Sequence, residues 1–155
     1  MSSVNVKGGN IMAKTMDRTE FEQMDAFGIG DDNPAQQYFQ GKTYLKVLTD
    51  EGCSTPVFNV TFTPGCRNNW HVHHATEGGG QVLICTADEG WYQEWGKPAV
   101  SLTPGTVITI PANVKHWHGA KADSWFSHVA VEVSGTEAWN EWLEPVDADD
   151  YAALA

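Results

Sequence analysis

After Pro34 the chain is written in short runs that leave no room for a long helix. "TYLKVLT" (43–49), "VFNVTFT" (57–63), "QVLICTA" (81–87), "GWYQEW" (90–95), "VSLT" (100–103), "TVITIP" (106–111) and "FSHVAVEV" (126–133) are rich in β-branched and aromatic residues, as strands are. Turn signals punctuate them: "TPG" at 63–65, "WGKP" at 95–98 and "TPG" again at 103–105. Many short strands with little helix between them predict an all-β sandwich, barrel or jelly roll. The repeated "TPG" suggests two similar halves, each a strand, a turn and a histidine-bearing strand.

The ends read differently. Residues 1–16 are polar and aperiodic and are expected to form an arm. "DRTEFEQMDAFG" (17–28) predicts a short helix: Asp17 caps it, Glu20 completes a capping box, Phe21 and Met24 share a face, and Gly28 ends it. "DADDYAALA" (147–155) can form one last helical turn or two. At 155 residues one domain is expected. The division is an arm with a short helix over 1–33, a barrel over 34–146 and a tail over 147–155.

Charge narrows the partners. The formal net charge is -11 at pH 7. Nucleic acid requires a basic stripe, which this sequence lacks, and anionic membrane surfaces repel such a chain. No run approaches membrane-spanning length, and the first residues lack the apolar stretch of a secretory signal. Three cysteines, with no CxxC pair, fit free thiols in a reducing cytoplasm.

Of six histidines, three fall in "GCRNNWHVHHATEGGGQ" (65–81). Strand residues two apart share a face, so His71 and His73 point one way and Trp70 and Val72 the other. In "KHWHGA" (115–120) His116 and His118 share a face, with Trp117 opposite. His128 lies with Phe126, Ala130 and Glu132. Five histidines can thus aim into one interior, with His74 excluded by parity. A single buried histidine is ordinarily a hydrogen-bonded core residue. Five converging imidazoles are better satisfied by a divalent transition metal.

Two motifs carry a resemblance to a known family. "GCRNNWHVH" (65–73) resembles the first cupin motif, a glycine followed after five residues by HxH. "GTVITIPANVKH" (105–116) resembles the second, with Asn113 and Ala120 standing where the family usually has glycine and asparagine. "YFQGK", "NWHVHHATEGGGQ", "CTADEGWYQEWGKP", "KHWHGAKADSWFSHVAVEV" and "NEWLEPV" are similar to phrases of a subgroup of small bacterial cupins, from Tyr38 to Val146. Such domains occur alone or fused to carboxymuconolactone decarboxylase domains, and they resemble the manganese-using cupin hydroxynitrile lyases. The resemblance implies a double-stranded β-helix, a jelly-roll barrel with a short helix at each end.

It also implies a ligand set. His71, His73 and His116 would hold one divalent metal per chain: manganese, or iron, nickel or zinc. Counting forward from His73 makes Glu77 the fourth ligand. Counting back from the strand "VLICTADEG" makes it Gln81, matching the glutamine of the lyase-like relatives, and Gln81 is favoured. Three imidazoles and one amide would leave the metal's full charge at the site, favouring deprotonation of a bound hydroxyl or water. His118 and His128 remain as acid–base candidates or as residues orienting the ligands. The expected activity is that of a metal-dependent lyase acting on a small organic substrate. An iron dioxygenase and a non-enzymatic ligand-binding cupin are the alternatives. Trp70 and Trp117, on the outward parity, are expected to pack against the helix or a partner subunit, and so much tryptophan outside the lumen points to a buried interface, hence a homodimer.

Overall fold

The computed structural model describes residues 15–154. Most of the expected N-terminal arm therefore lies outside the described residues. In chain order the elements are α1 (Arg18–Met24), β1 (Asp31–Asp32), a single 3-10 turn at Gln36–Tyr38, β2 (Phe39–Gln40), β3 (Thr43–Val47), β4 (Val57–Phe62) and β5 (Arg67–Asn68). Then come β6 (His71–His74), β7 (Glu77–Gly78), β8 (Gln81–Asp88), β9 (Gly90–Glu94), β10 (Val100–Leu102) and β11 (Val107–Ile110). The chain closes with β12 (His116–Ala120), β13 (Phe126–Glu132), β14 (Gly135–Thr136), β15 (Trp139–Trp142) and α2 (Ala148–Ala152).

Two sheets enclose the core. One runs β1-β3-β4-β13-β8-β11. The other runs β10-β9-β12-β5-β2, with β6 joined to both β12 and β15. Val60, Phe62, Leu83, Phe126 and Ala130 from the first sheet meet Tyr92, Leu102 and Ala120 from the second. Burying a side chain of the Phe62 or Leu83 class contributes roughly 1.5–3 kcal/mol. Cys85 belongs to this lumen and behaves as a small apolar residue.

The outer faces are covered from the two ends of the chain. Phe21 of α1 packs with Ile29, Ala87 and Trp125 against the first sheet. On the second sheet Trp70, Trp91 and Trp117 are covered by Val146 and Tyr151 of the C-terminal segment. The Tyr151 hydroxyl donates to the Ala120 carbonyl at 2.8 Å. Trp70, Trp91 and Trp117 are thus buried within the chain, while Trp95 and Trp139 stay exposed.

The capping box of α1 forms as the sequence predicts, Glu20 N donating to Asp17 Oδ1 and Asp17 N to Glu20 Oε2. The helix stops at Met24, earlier than Gly28, and Met24 is exposed, so it does not share the buried face of Phe21. The cause is Asp25. Its backbone turns extended, and its carboxylate accepts from Asn59 Nδ2 at 2.9 Å and Ser127 Oγ at 2.8 Å on the sheet below.

The two "TPG" turns are the same device. Gly65 and Gly105 both have positive φ, and in each turn the next amide donates back to the threonine carbonyl. Asn113, at the family's usual glycine, also takes a left-handed φ of 68°. Asparagine tolerates that region. Its amide also bonds both backbone groups of Ala75, tying the second motif to the first.

Candidate metal centre and active site

The site is assembled by strand register. His71 on β6 stands opposite His116 on β12. His73 stands opposite Asn140 on β15, and Gln81 on β8 opposite Glu132 on β13. Directly opposed residues project to the same face, so three cross-strand pairs deliver these groups to one end of the lumen.

His71, His73 and His116 are buried, and their ligand nitrogens lie within 4.8 Å of one another. Each ring has its Nδ1 against an oxygen: Asn69 O at 2.9 Å for His71, Asn140 Oδ1 at 2.7 Å for His73 and Val114 O at 2.9 Å for His116. In His71 and His116 the acceptor is the carbonyl two residues back, the same local arrangement in each motif. A carbonyl oxygen only accepts, so each Nδ1 carries a proton and each Nε2 is the nitrogen left to face the site. The Nε2 atoms of His73 and His116 are buried with no hydrogen-bond partner, as is Oε1 of Gln81, whose Nε2 donates to Glu132 Oε1. Buried polar atoms are ordinarily satisfied. Three imidazole nitrogens and an amide oxygen, oriented by outer hydrogen bonds, are a donor set that fits a divalent transition metal.

Glu77 is elsewhere. It is exposed on β7 and pairs across from Thr136 on β14, on a two-stranded ribbon outside the barrel sheets. His74 also faces away, stacked on Trp139 at 4.3 Å between ring centres and bonded to Glu141 at 2.7 Å.

His118 and His128 lie in the same chamber. His118 Nδ1 is 3.1 Å from His128 Nε2, and the amide nitrogen of Asn68 is 3.2 Å from His118 Nε2. The Asn68 amide is oriented by its oxygen, which accepts from the His118 backbone N–H at 2.9 Å. The Asn68 amide nitrogen therefore lies against the His118 ring, 3.2 Å from Nε2 and 3.4 Å from Nδ1, while Nδ1 also faces His128 Nε2. Burial is the main cause holding both imidazoles neutral, helped in His118 by the neighbouring histidines. Burial likewise lowers His71, with His116 and His73 adding to it, and takes His116 to about 4.

His71, His73, Gln81, His118, His128 and Glu132 line a cavity of about 150 Å³. Its other wall is apolar, with Phe39, Leu45, Phe58, Val60, Ala130 and Trp142. A larger groove of about 630 Å³ lies between Trp70, Trp95 and the C-terminal segment, but it holds none of the histidines.

Two side chains of the site escaped the sequence reading, and a third was placed on the right face without a role. Asn140 sits on β15, a strand that reading did not anticipate, within "NEWLEPV". Asn68 lies on β5, which is separated from β6 by Asn69 and Trp70, so a count along one continuous strand gives it the wrong face. Glu132 was legible only by its parity with His128. Its carboxylate lies 3.9 Å from His73 Nδ1 and bonds Gln81, so the site contains an acidic group that the ligand count alone omits.

One stability prediction arises from His128. Burial pushes its pKa from 6.5 to about 3. Below about pH 6.5 the unfolded chain binds a proton there that the folded chain refuses, so stability falls as pH drops from about 6.5 toward 3. One such group gives a slope approaching about 1.4 kcal/mol per pH unit. Urea midpoints of the metal-free protein are expected to fall between about pH 7 and 5, and His128→Phe to flatten part of that fall. Equal slopes in the two proteins would contradict it.

Comparison with known proteins agrees with this geometry. No family-wide sequence profile matches the chain. It is 37% identical over 93 residues to an (R)-mandelonitrile lyase of Granulicella tundricola, covering 60% of this chain and 68% of that protein. The crystal structure of a cupin-like protein from Thermotoga maritima superposes with a TM-score of 0.71 at 41% identity, over 82% of this chain and 94% of the other. A DMSP lyase from Ruegeria pomeroyi shares the fold, with a TM-score of 0.56 at 18% identity, over 81% of this chain and 60% of that one. With two sheets closed around a core, both histidine motifs at one end of it, and relatives at this level of identity, the chain belongs to the cupin family.

Proposed function

We propose that this cupin is a metal-dependent lyase that breaks or forms a carbon–carbon bond beside a hydroxyl or carbonyl of a small organic substrate, with hydroxynitrile cleavage as the test reaction. The observation that carries the reading is one small chamber lined by His71, His73 and Gln81 together with the linked pair His118 and His128. The similarity to a mandelonitrile lyase supports it. A divalent ion held by His71, His73, His116 and Gln81, manganese in this reading with iron, nickel and zinc as the other candidates, would supply Lewis acidity to a bound substrate oxygen.

The remaining work falls to the protein's own groups. The apolar wall of Phe39, Phe58 and Trp142 seats the organic body and excludes water. His118 accepts the substrate hydroxyl proton at Nε2 as the substrate takes the place of the Asn68 amide there, while its Nδ1 stays against His128 Nε2. As the hydroxyl becomes a carbonyl, the C–CN bond breaks and cyanide leaves with the electron pair. His118 then returns the proton to cyanide, so an aldehyde and hydrogen cyanide are formed from one hydroxynitrile.

A homodimer belongs to the same reading. Val107 and Ile84 face each other across β11 and β8 at the edge of the first sheet, and both are exposed. A reducing compartment is supported by Cys53, Cys66 and Cys85, all free thiols. No described helix is long and apolar enough to cross a membrane.

The test is aldehyde release from (R)-mandelonitrile by protein reconstituted with Mn²⁺, before and after chelation. Turnover that appears with the ion and disappears with the chelator is expected. A fully loaded protein that turns over no hydroxynitrile defeats the lyase reading, and iron-dependent oxygen uptake would replace it with a dioxygenase.

A further inference from the structure

We infer that Glu132 is a positioning residue that keeps the carbonyl oxygen of Gln81, rather than its NH₂ group, facing the metal site. This rests on the assignment of Gln81 as a ligand. An amide has two chemically opposite ends of nearly equal size, and only the oxygen end can bind a cation. A rotation of about 180° would therefore destroy the site with little change in shape. Something must distinguish the ends.

Glu132 does so. It stands opposite Gln81 in the β8–β13 register, and Gln81 Nε2 donates to its Oε1 at 2.5 Å. A carboxylate oxygen accepts, and Oε1 of Glu132 takes the NH₂ end of Gln81. Gln81 is 6% exposed, and its Oε1 is left buried and without a hydrogen-bond partner in the chamber that His71 and His73 line. His73 does not compete for this role, because its Nδ1 is taken by Asn140 at 2.7 Å and Glu132 stands off at 3.9 Å. Glu132 itself is partly exposed, with side-chain exposure of 31%, so its replacement leaves no sealed void.

The experiment is a competitive Mn²⁺ titration against a chelator, on the full chain and on Glu132→Leu, Glu132→Gln, Gln81→Ala and the double variant Gln81→Ala/Glu132→Leu. Glu132→Leu is expected to weaken Mn²⁺ binding by about 10–100-fold. Glu132→Gln should fall between the wild type and Glu132→Leu, because its Oε1 can still accept from Gln81 while its NH₂ equally rewards the flipped amide. Once Gln81 is alanine, adding Glu132→Leu should change affinity by less than about threefold, since the two residues act as one unit. The positioning role is overturned if Glu132→Leu binds as the wild type does. It is equally overturned if the two losses multiply in the double variant. If Gln81→Ala binds Mn²⁺ like the wild type, the ligand assignment itself falls, and the positioning role with it.

Discussion

His116→Ala is expected to leave the purified protein without bound metal under conditions where the wild type retains about one ion per chain. His116 is fully buried, its ring centre is 4.2 Å from that of His71 and 5.3 Å from that of His73, and its Nε2 has no partner within the protein. Losing an outer hydrogen-bond partner already costs about 10–100-fold in metal affinity, so losing a ligand should exceed a hundredfold. Two controls make the result specific. His74→Ala removes a histidine one residue from the triad that is engaged with Glu141 and Trp139 instead, and should keep the ion. Glu77→Ala removes the other candidate fourth ligand from an exposed ribbon, and should keep it too. Elemental analysis of the three variants, with circular dichroism to check folding, decides the matter. A folded His116→Ala protein with full metal content would end the assignment, and loss of metal only in Glu77→Ala would move the fourth ligand to that carboxylate.

The legible and illegible parts of this protein divide along a physical line. Strand alternation is local, so the inward aim of His71, His73, His116, His118 and His128 could be read from spacing. The same holds for the turn glycines at 65 and 105, whose positive φ is a property of three or four residues. Register is not local. That Asn140 meets His73 depends on β15 folding back across β6, some 67 residues along the chain. That Glu132 meets Gln81 depends on the bulge between Ser127 and His128, which shifts the β13–β8 pairing by one residue. The tryptophans show the same limit from the other side. Parity placed Trp70 and Trp117 outside the lumen, but it could not say that the chain's own tail covers them.

Register also explains the effect expected at His118. His118→Phe should lower kcat for hydroxynitrile cleavage by about 10²–10⁴-fold, the usual contribution of a positioned proton acceptor, while metal content stays near one ion per chain. Phenylalanine keeps an aromatic ring beside Phe62, whose ring centre is 5.9 Å away, but removes both nitrogens. It also leaves Asn68 Nδ2 and His128 Nε2 without their partner, which costs about 1–3 kcal/mol of stability, so assays belong well below the melting temperature. On the proposed proton path His128 would act through His118, so His128→Phe should cost less. The double variant should be little worse than His118→Phe alone, since residues that act in series do not add. Retention of wild-type kcat within about threefold in His118→Phe would remove it from the proton path. Equal and multiplicative losses at the two positions would mean that each histidine reaches the substrate independently, and that their 3.1 Å contact is incidental to catalysis.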